Sequence, residues 1–220
     1  MHRFWRRVWF GDGCWEWDGP PGSHGYGQAF VDGRVTTAPR AAVALDNARV
    51  RAWRTTVGVL AGVAHGPGVV IWLRDGPGGK SGRAIWADDV AVPMSTGESG
   101  DAIVIVQPLA QPAPRSSPPS GSKPGDAPFT GMSFVPLFEN TRVSVLRARM
   151  EVDAREGLHT HGSDTIVVHL SGGEIEDTAN GKTIVNRWKP GDVEFESRGS
   201  SHSARNISHP VDVVLVAVKP

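Results

Sequence analysis

From residue 143 onward, apolar and polar positions change place every residue or two. The runs are Val143 to Val152, Thr165 to Leu170, Lys182 to Trp188, Val193 to Glu196 and Val211 to Val218, rich in Val and Ile. A period of two predicts strands with one buried face. Between the runs stand Ser171-Gly172-Gly173, Asn180-Gly181 and Pro190-Gly191-Asp192, which is turn chemistry. Asn180-Gly181 between two strands predicts a two-residue hairpin, because both central residues of that turn need positive φ. No segment of this half has helical spacing. Short strands at regular intervals predict a small β-barrel or jelly roll.

The earlier half carries a weaker version of the same pattern. Val57 to Leu73 is its most apolar stretch, interrupted by His65-Gly66-Pro67-Gly68. That is too short and too broken to span a membrane, and it predicts two strands joined by a turn. An internal repeat is visible. Asp46 to Arg51 echoes Glu139 to Ser144, and Val69 to Gly76 echoes Ile166 to Gly173. Gly79-Lys80 echoes Gly181-Lys182, and Asp101 to Val106 echoes Asp212 to Ala217. The halves read as two copies of one β-unit. Gly79 to Asp101 spans 22 positions against 31 from Gly181 to Asp212, so the missing stretch is expected where the second copy carries His202. Only His65 stands near the corresponding paired-histidine position, so the first copy is expected to have lost the site.

A Pro- and Ser-rich stretch separates the halves, with too few apolar residues to bury. The expected organisation is an extension over 1–40, a degenerate β domain over 41–110, a linker over 111–128 and a complete β domain over 129–220. Gly (27) and Pro (17) agree with many turns and short strands. With 23 basic and 23 acidic residues the formal charge is zero, which points to neither nucleic acid nor an anionic membrane. Cys14 is the only cysteine, so neither an internal disulfide nor a thiolate metal site can form. The basic start, Met1 to Arg7, is followed by no apolar run and does not read as a secretory signal. A soluble, cytoplasmic protein is the expectation.

The chemistry lies in three histidines. His159 and His161 stand two apart, and His202 follows in the run Gly191 to Asn206. Alternate residues of a strand share a face, so the first two imidazoles can grip one ion and a third from a later strand can close the site. Residues 134–220 resemble the cupin superfamily. Its first motif, G(X)5HXH(X)3–4E(X)6G, is met by His159, His161 and Gly172, with Asp153 at the opening glycine and Thr165 at the glutamate. Its second, G(X)5PXG(X)2H(X)3N, is met by Gly191, Gly199, His202 and Asn206, with Ser197 at the proline. The resemblance implies an all-β double-stranded β-helix with a metal on three histidines inside the barrel. The nearest wording is that of small single-domain cupins with an HTHxxD stretch.

Asp164, beside Thr165, is a candidate fourth ligand. An unbroken strand from His159 would put Thr165 on the metal side and Asp164 on the other, and Gly162 could break that alternation. Imidazole ligation suits Fe, Zn, Ni, Mn or Cu alike. Asn206 and Glu194 or Glu196 are candidates to hold the rings. Arg147 and Arg149 alternate on a strand and read either as carboxylate binders in the barrel or as a solvated face. His169 and Trp188 read as ordinary face or core residues, and His65 and His209 as turn residues.

The first forty residues resemble the N-terminal strand region of phage-type HNH endonucleases, through Cys14-Trp15-Glu16-Trp17-Asp18-Gly19, Gly25-Tyr26-Gly27 and Pro39-Arg40. The His-Asn-His cluster of those enzymes is absent from the chain, so the segment reads as a small hairpin packing Trp15 and Trp17. Two function classes follow for the whole. One is a metalloenzyme, a dioxygenase or isomerase acting on a small polar acid. The other is a non-catalytic small-ligand binder or sensor. Either would have a small-molecule partner, and a homodimer or an internal pairing of the two copies would protect the sheet edges.

Overall fold

The computed structural model describes residues 41–59, 63, 65–90, 100–109 and 128–219, and the backbone of four earlier strands. These four are β1 (Val8–Gly11), β2 (Cys14–Trp17), β3 (Gly27–Val31) and β4 (Arg34–Ala38), paired as two antiparallel hairpins. The packing expected of Trp15 and Trp17, and the linker before residue 128, lie outside the described residues. Every other regular element described is also a strand. Among the described residues no helix is long and apolar enough to cross a membrane.

The C-terminal region is an eight-stranded antiparallel barrel of the expected jelly-roll type. Its strands are β10 (Thr130–Glu139), β11 (Val143–Thr160), β12 (Asp164–His169), β13 (Gly173–Ala179), β14 (Lys182–Trp188), β15 (Val193–Glu196), β16 (Ser201–Asn206) and β17 (Val211–Val218). They run β14-β13-β16-β11-β17-β12-β15, with β10 also on β11. The long strand β11 belongs to both layers: Val143 to Met150 pairs with β17, and Arg155 to Thr160 with β16. It turns between them at Asp153, whose φ is 62°. This is the opening glycine of the cupin motif, and aspartate is among the few other residues that enter the left-handed region at modest cost. Asn180 and Gly181 have φ of 52° and 72°, as the predicted hairpin between β13 and β14 requires.

The preceding region is a five-stranded sheet of β5 (Ala42–Asp46), β6 (Val50–Thr56), β7 (Gly68–Trp72), β8 (Ala84–Ala87) and β9 (Ala102–Pro108). Of the two strands expected within Val57 to Leu73, only β7 is present among the described residues. The order β5-β6-β9-β7-β8 reproduces β10-β11-β17-β12-β15 strand for strand. Both sets open with the same turn. Asn47 Oδ1 accepts the N–H groups of Arg49 and Val50 at 2.8 Å each, and Asn140 Oδ1 those of Arg142 and Val143 at 2.8 and 2.9 Å.

The registers correct the repeat read from sequence. Leu73 N donates to Ala102 O and Leu170 N to Asp212 O, so Ala102, not Asp101, is the counterpart of Asp212. A one-residue slip exchanges the two faces of a strand, and the valine-rich run Ile103 to Val106 is apolar on both, so sequence matching could not detect it. Gly82 N donates to Trp72 O as Gly191 N does to His169 O, which makes Lys80 the counterpart of Lys189 rather than Lys182. The shortfall is therefore the β13–β14 hairpin, replaced by the narrow bridge Gly76–Gly79. From Ala87 to Ala102 there are 15 positions against 16 from Glu196 to Asp212, so almost nothing is lost around the His202 position.

One core joins the two regions. Val50, Ala52, Val69, Ile71, Val104 and Val106 of the sheet pack on Val143, Val145, Ile166, Val168, Val214 and Val216 of the barrel. Most are fully buried, and each such valine or isoleucine contributes about 1.5–3 kcal/mol. Contacts across this interface are reciprocal. A Cβ on Gly82 would stand 3.0 Å from Arg147 Nη1 and 3.0 Å from Leu170 Cδ1; one on Gly191 would stand 2.9 Å from Arg54 Cδ and 3.0 Å from Leu73 Cδ1. By register Arg54 and Leu73 are the counterparts of Arg147 and Leu170, which is the contact pattern of a two-fold axis.

Candidate metal centre

Strand pairing brings the histidines together. His159 on β11 is the direct cross-strand partner of His202 on β16. His161 follows two residues on, its N–H donating to Ser200 O and its carbonyl accepting from Gly199 N at 2.9 Å each. Ring centroids lie 4.8 Å apart for His159–His161 and His159–His202, and 4.9 Å for His161–His202. One nitrogen from each ring falls within 4.8 Å of the other two.

The outer nitrogens are held. His159 Nδ1 lies 2.9 Å from Gly157 O, a group that only accepts, so Nδ1 carries the proton and Nε2 the lone pair. His202 Nδ1 lies 3.1 Å from Asp177 Oδ1, which fixes the same tautomer. His202 Nε2 is buried with no hydrogen-bond partner. Such a group costs about 1–3 kcal/mol unless something fills its lone pair. Burial, with the neighbouring His202 and His159, pushes His161 down to about 4. Three converging imidazoles, two of them oriented by acceptors on their outer nitrogens, fit a divalent transition metal.

Two carboxylates flank the rings. Glu156 approaches His159 Nε2 at 3.7 Å and His202 Nε2 at 3.8 Å, and Glu196 approaches His161 Nδ1 at 3.4 Å and His202 Nε2 at 3.7 Å. Burial raises the pKa of both; for Glu196 the nearby Glu194, Glu156 and Asp177 add to the rise, and for Glu156 the histidines oppose it. Below the cluster lies a cavity of about 240 Å³, walled by Met150, Val167, Ile175, Val213 and Leu215. Phe129 meets the edge of His159 with ring centroids 5.0 Å apart. Among the described residues, the cavity lining includes four acidic side chains and no lysine or arginine.

The other sequence candidates are placed elsewhere. Asp164 is not turned to the cluster: its carboxylate accepts from Arg49 Nε at 2.8 Å and from Arg198 N at 2.9 Å. Thr165 lines the cavity instead, although the chain bends at Gly162 and Ser163 between β11 and β12. Arg147 is paired with Asp212, which raises its pKa, and donates to Ser81 O; Arg149 is paired with Glu151. Neither arginine reaches the cavity. Asn206 is fully buried and donates to Met150 O, Glu151 O and His209 O, which ties the end of β16 to β11. Glu194 faces His169, at 3.9 Å, rather than the cluster. His169 is no ordinary face residue. It is 1% exposed, lines the cavity, stacks on Trp188 at 4.6 Å and has no hydrogen-bond partner for either nitrogen. His65 is exposed and pairs with Asp89 at 3.1 Å. Sequence reasoning missed Glu156 and Asp177. Glu156 precedes His159 by three on the same strand, and Asp177 carries no motif signal at all.

No family model matches the chain, and no curated protein matches it. Several solved structures are similar to it. A cupin domain from Bordetella pertussis Tohama I has 22% identity, covering 41% of this chain and 95% of its own, with a TM-score of 0.39. A cupin superfamily protein from Desulfitobacterium hafniense DCB-2 has 16% identity over 50% of this chain and 94% of its own, with a TM-score of 0.36. A predicted oxalate decarboxylase from Thermotoga maritima has 26% identity over 40% of this chain and 81% of its own, with a TM-score of 0.35.

Proposed function

We propose that the barrel holds a divalent transition metal on His159, His161 and His202 and acts on a small molecule in the adjoining cavity, as a metalloenzyme of dioxygenase or isomerase type. The observation that carries this reading is the convergence of three imidazoles, two with their outer nitrogens held, and the burial of His202 Nε2 among them without a hydrogen-bond partner. A bound ion would supply Lewis acidity and open coordination positions. The protein's own groups do the rest. Gly157 and Asp177 orient the rings. Glu156, with a proton affinity raised by burial, is placed to take up or release a proton at a ligand beside the cluster. The apolar wall receives a carbon skeleton. The four acidic side chains among the described lining residues suit an uncharged ligand better than the small acid expected from sequence.

The cavity and its two carboxylates favour an enzyme over a non-catalytic binder. In the same reading the five-stranded sheet is a degenerate second barrel unit, and the internal pairing takes the place of a homodimer. The test is metal analysis of protein expressed without added metal. About one equivalent per chain is expected, lost in His159→Ala and in His202→Ala. Stoichiometric metal retained by both variants would refute the assignment.

A further inference from the structure

Thr165 stands where the cupin motif carries its glutamate, and its hydroxyl is spent on Ser163 O at 3.3 Å. Its direct cross-strand partner is Glu196 on β15. Directly opposite residues of an antiparallel pair project from the same face with Cβ atoms roughly 5 Å apart, so a long side chain at 196 reaches the space open to one at 165. Glu196 makes that reach. Its two oxygens lie 3.4 Å from His161 Nδ1 and 3.7 Å from His202 Nε2, and its side chain is only 16% exposed. Ligand atoms of a four-coordinate ion with bonds near 2.1 Å stand roughly 3.4 Å from one another. One Glu196 oxygen keeps that spacing from the His161 ring, and the other stands 3.7 Å from the His202 nitrogen that is buried without a hydrogen-bond partner. Glu156 flanks the same cluster but stands farther from its nearest imidazole, at 3.7 Å, and not across from Thr165.

We infer that Glu196 is the carboxylate ligand of this centre, delivered from β15 across the ladder in place of the glutamate missing at position 165. The inference rests on the three histidines holding an ion. It makes the coordinating carboxylate part of the second histidine motif, six residues before His202, and leaves Glu156 as the carboxylate free to handle protons.

The test is titration of the metal-free full chain with Co²⁺, followed by visible absorption and by competition with a chelator of known affinity. Wild type is expected to bind one Co²⁺. Glu196→Gln, an isosteric change, is expected to weaken binding roughly 10–100-fold and to alter the absorption bands. The double variant Thr165→Glu/Glu196→Thr, which returns the carboxylate to the motif position, is expected to regain affinity to within about threefold of wild type. Glu156→Gln is expected to change it by less than about threefold. Circular dichroism verifies that each variant is folded. A Glu196→Gln protein with wild-type affinity and spectrum overturns the inference, as does a folded double variant no better than Glu196→Gln. Failure of wild type to bind Co²⁺ would instead remove the three-histidine reading itself.

Discussion

The five-stranded sheet and the barrel share one strand plan and put the same face to opposite uses. In the barrel, Val167, His169, Val213 and Leu215 line a cavity. Their counterparts by register are Val70, Trp72, Ile103 and Ile105, which pack with Trp53 into a closed apolar cluster. The contrast is sharpest at one position. Trp72 is buried, donates from Nε1 to Asp101 at 3.1 Å and carries the Arg83 guanidinium over its ring at 4.7 Å. His169, its counterpart, is buried with neither nitrogen in a hydrogen bond. The cross-strand pair beside the histidines follows suit: the counterparts of Thr165 and Glu196 are Gly68 and Ala87. Among the described residues, one copy pairs its buried side-chain polar groups and packs this face closed. The other leaves buried nitrogens unmet and a volume open. Such local inconsistency in an otherwise well-packed unit marks a site rather than a core.

The largest effect should come from breaking the filled face. Trp72→Ala is expected to cost about 3–5 kcal/mol in urea unfolding, whereas His169→Phe should change stability by less than about 1 kcal/mol, because it removes two unmet polar atoms and keeps the stack on Trp188. Equal losses in the two variants would erase the contrast.

Next in size is a pH effect confined to the barrel. His161 is held near 4 when folded and titrates near 6.5 when unfolded. As pH falls from 6.5 to 4 the unfolded chain takes up a proton that the folded chain refuses, so metal-free protein loses stability over that window, by up to about 3 kcal/mol. His161→Asn should flatten this slope. An imidazole resonance of His161 that titrates near 6.5 in the folded protein would contradict it.

The smallest effect tests the reciprocity of the interface. Gly82 and Gly191 have φ of +79° and +86°, and each faces an arginine and a leucine of the other unit. Alanine at either should cost about 1–2 kcal/mol, and the two costs should agree within about 1 kcal/mol. A large loss at one and none at the other would show that the two units do not meet as equivalents.

Much of the barrel was legible in advance. Val193–Glu196 and Val211–Val218 match the predicted strands end for end, and the Asn180-Gly181 turn has the predicted conformation, because period-two alternation and turn chemistry are local properties. Strand β16 (Ser201–Asn206) was not, since Ser-His-Ser-Ala-Arg-Asn has no apolar alternation and becomes a strand only between β11 and β13. The repeat was visible but was matched one residue out over β9, where apolar residues occupy both faces.

What the residues determined by themselves is the kind of chain this is: an all-strand unit written twice, with three histidines at the spacing of a metal site in the second copy. What only the tertiary structure decided is who stands beside those histidines. Asp164, adjacent in sequence to the expected position, is carried off by Arg49 from the other sheet, while Glu196, 35 residues after His161, arrives by cross-strand pairing. Strand alternation can say which face a side chain takes. Which other strand supplies its neighbour depends on the pairing of strands far apart in the chain, and no local pattern encodes that.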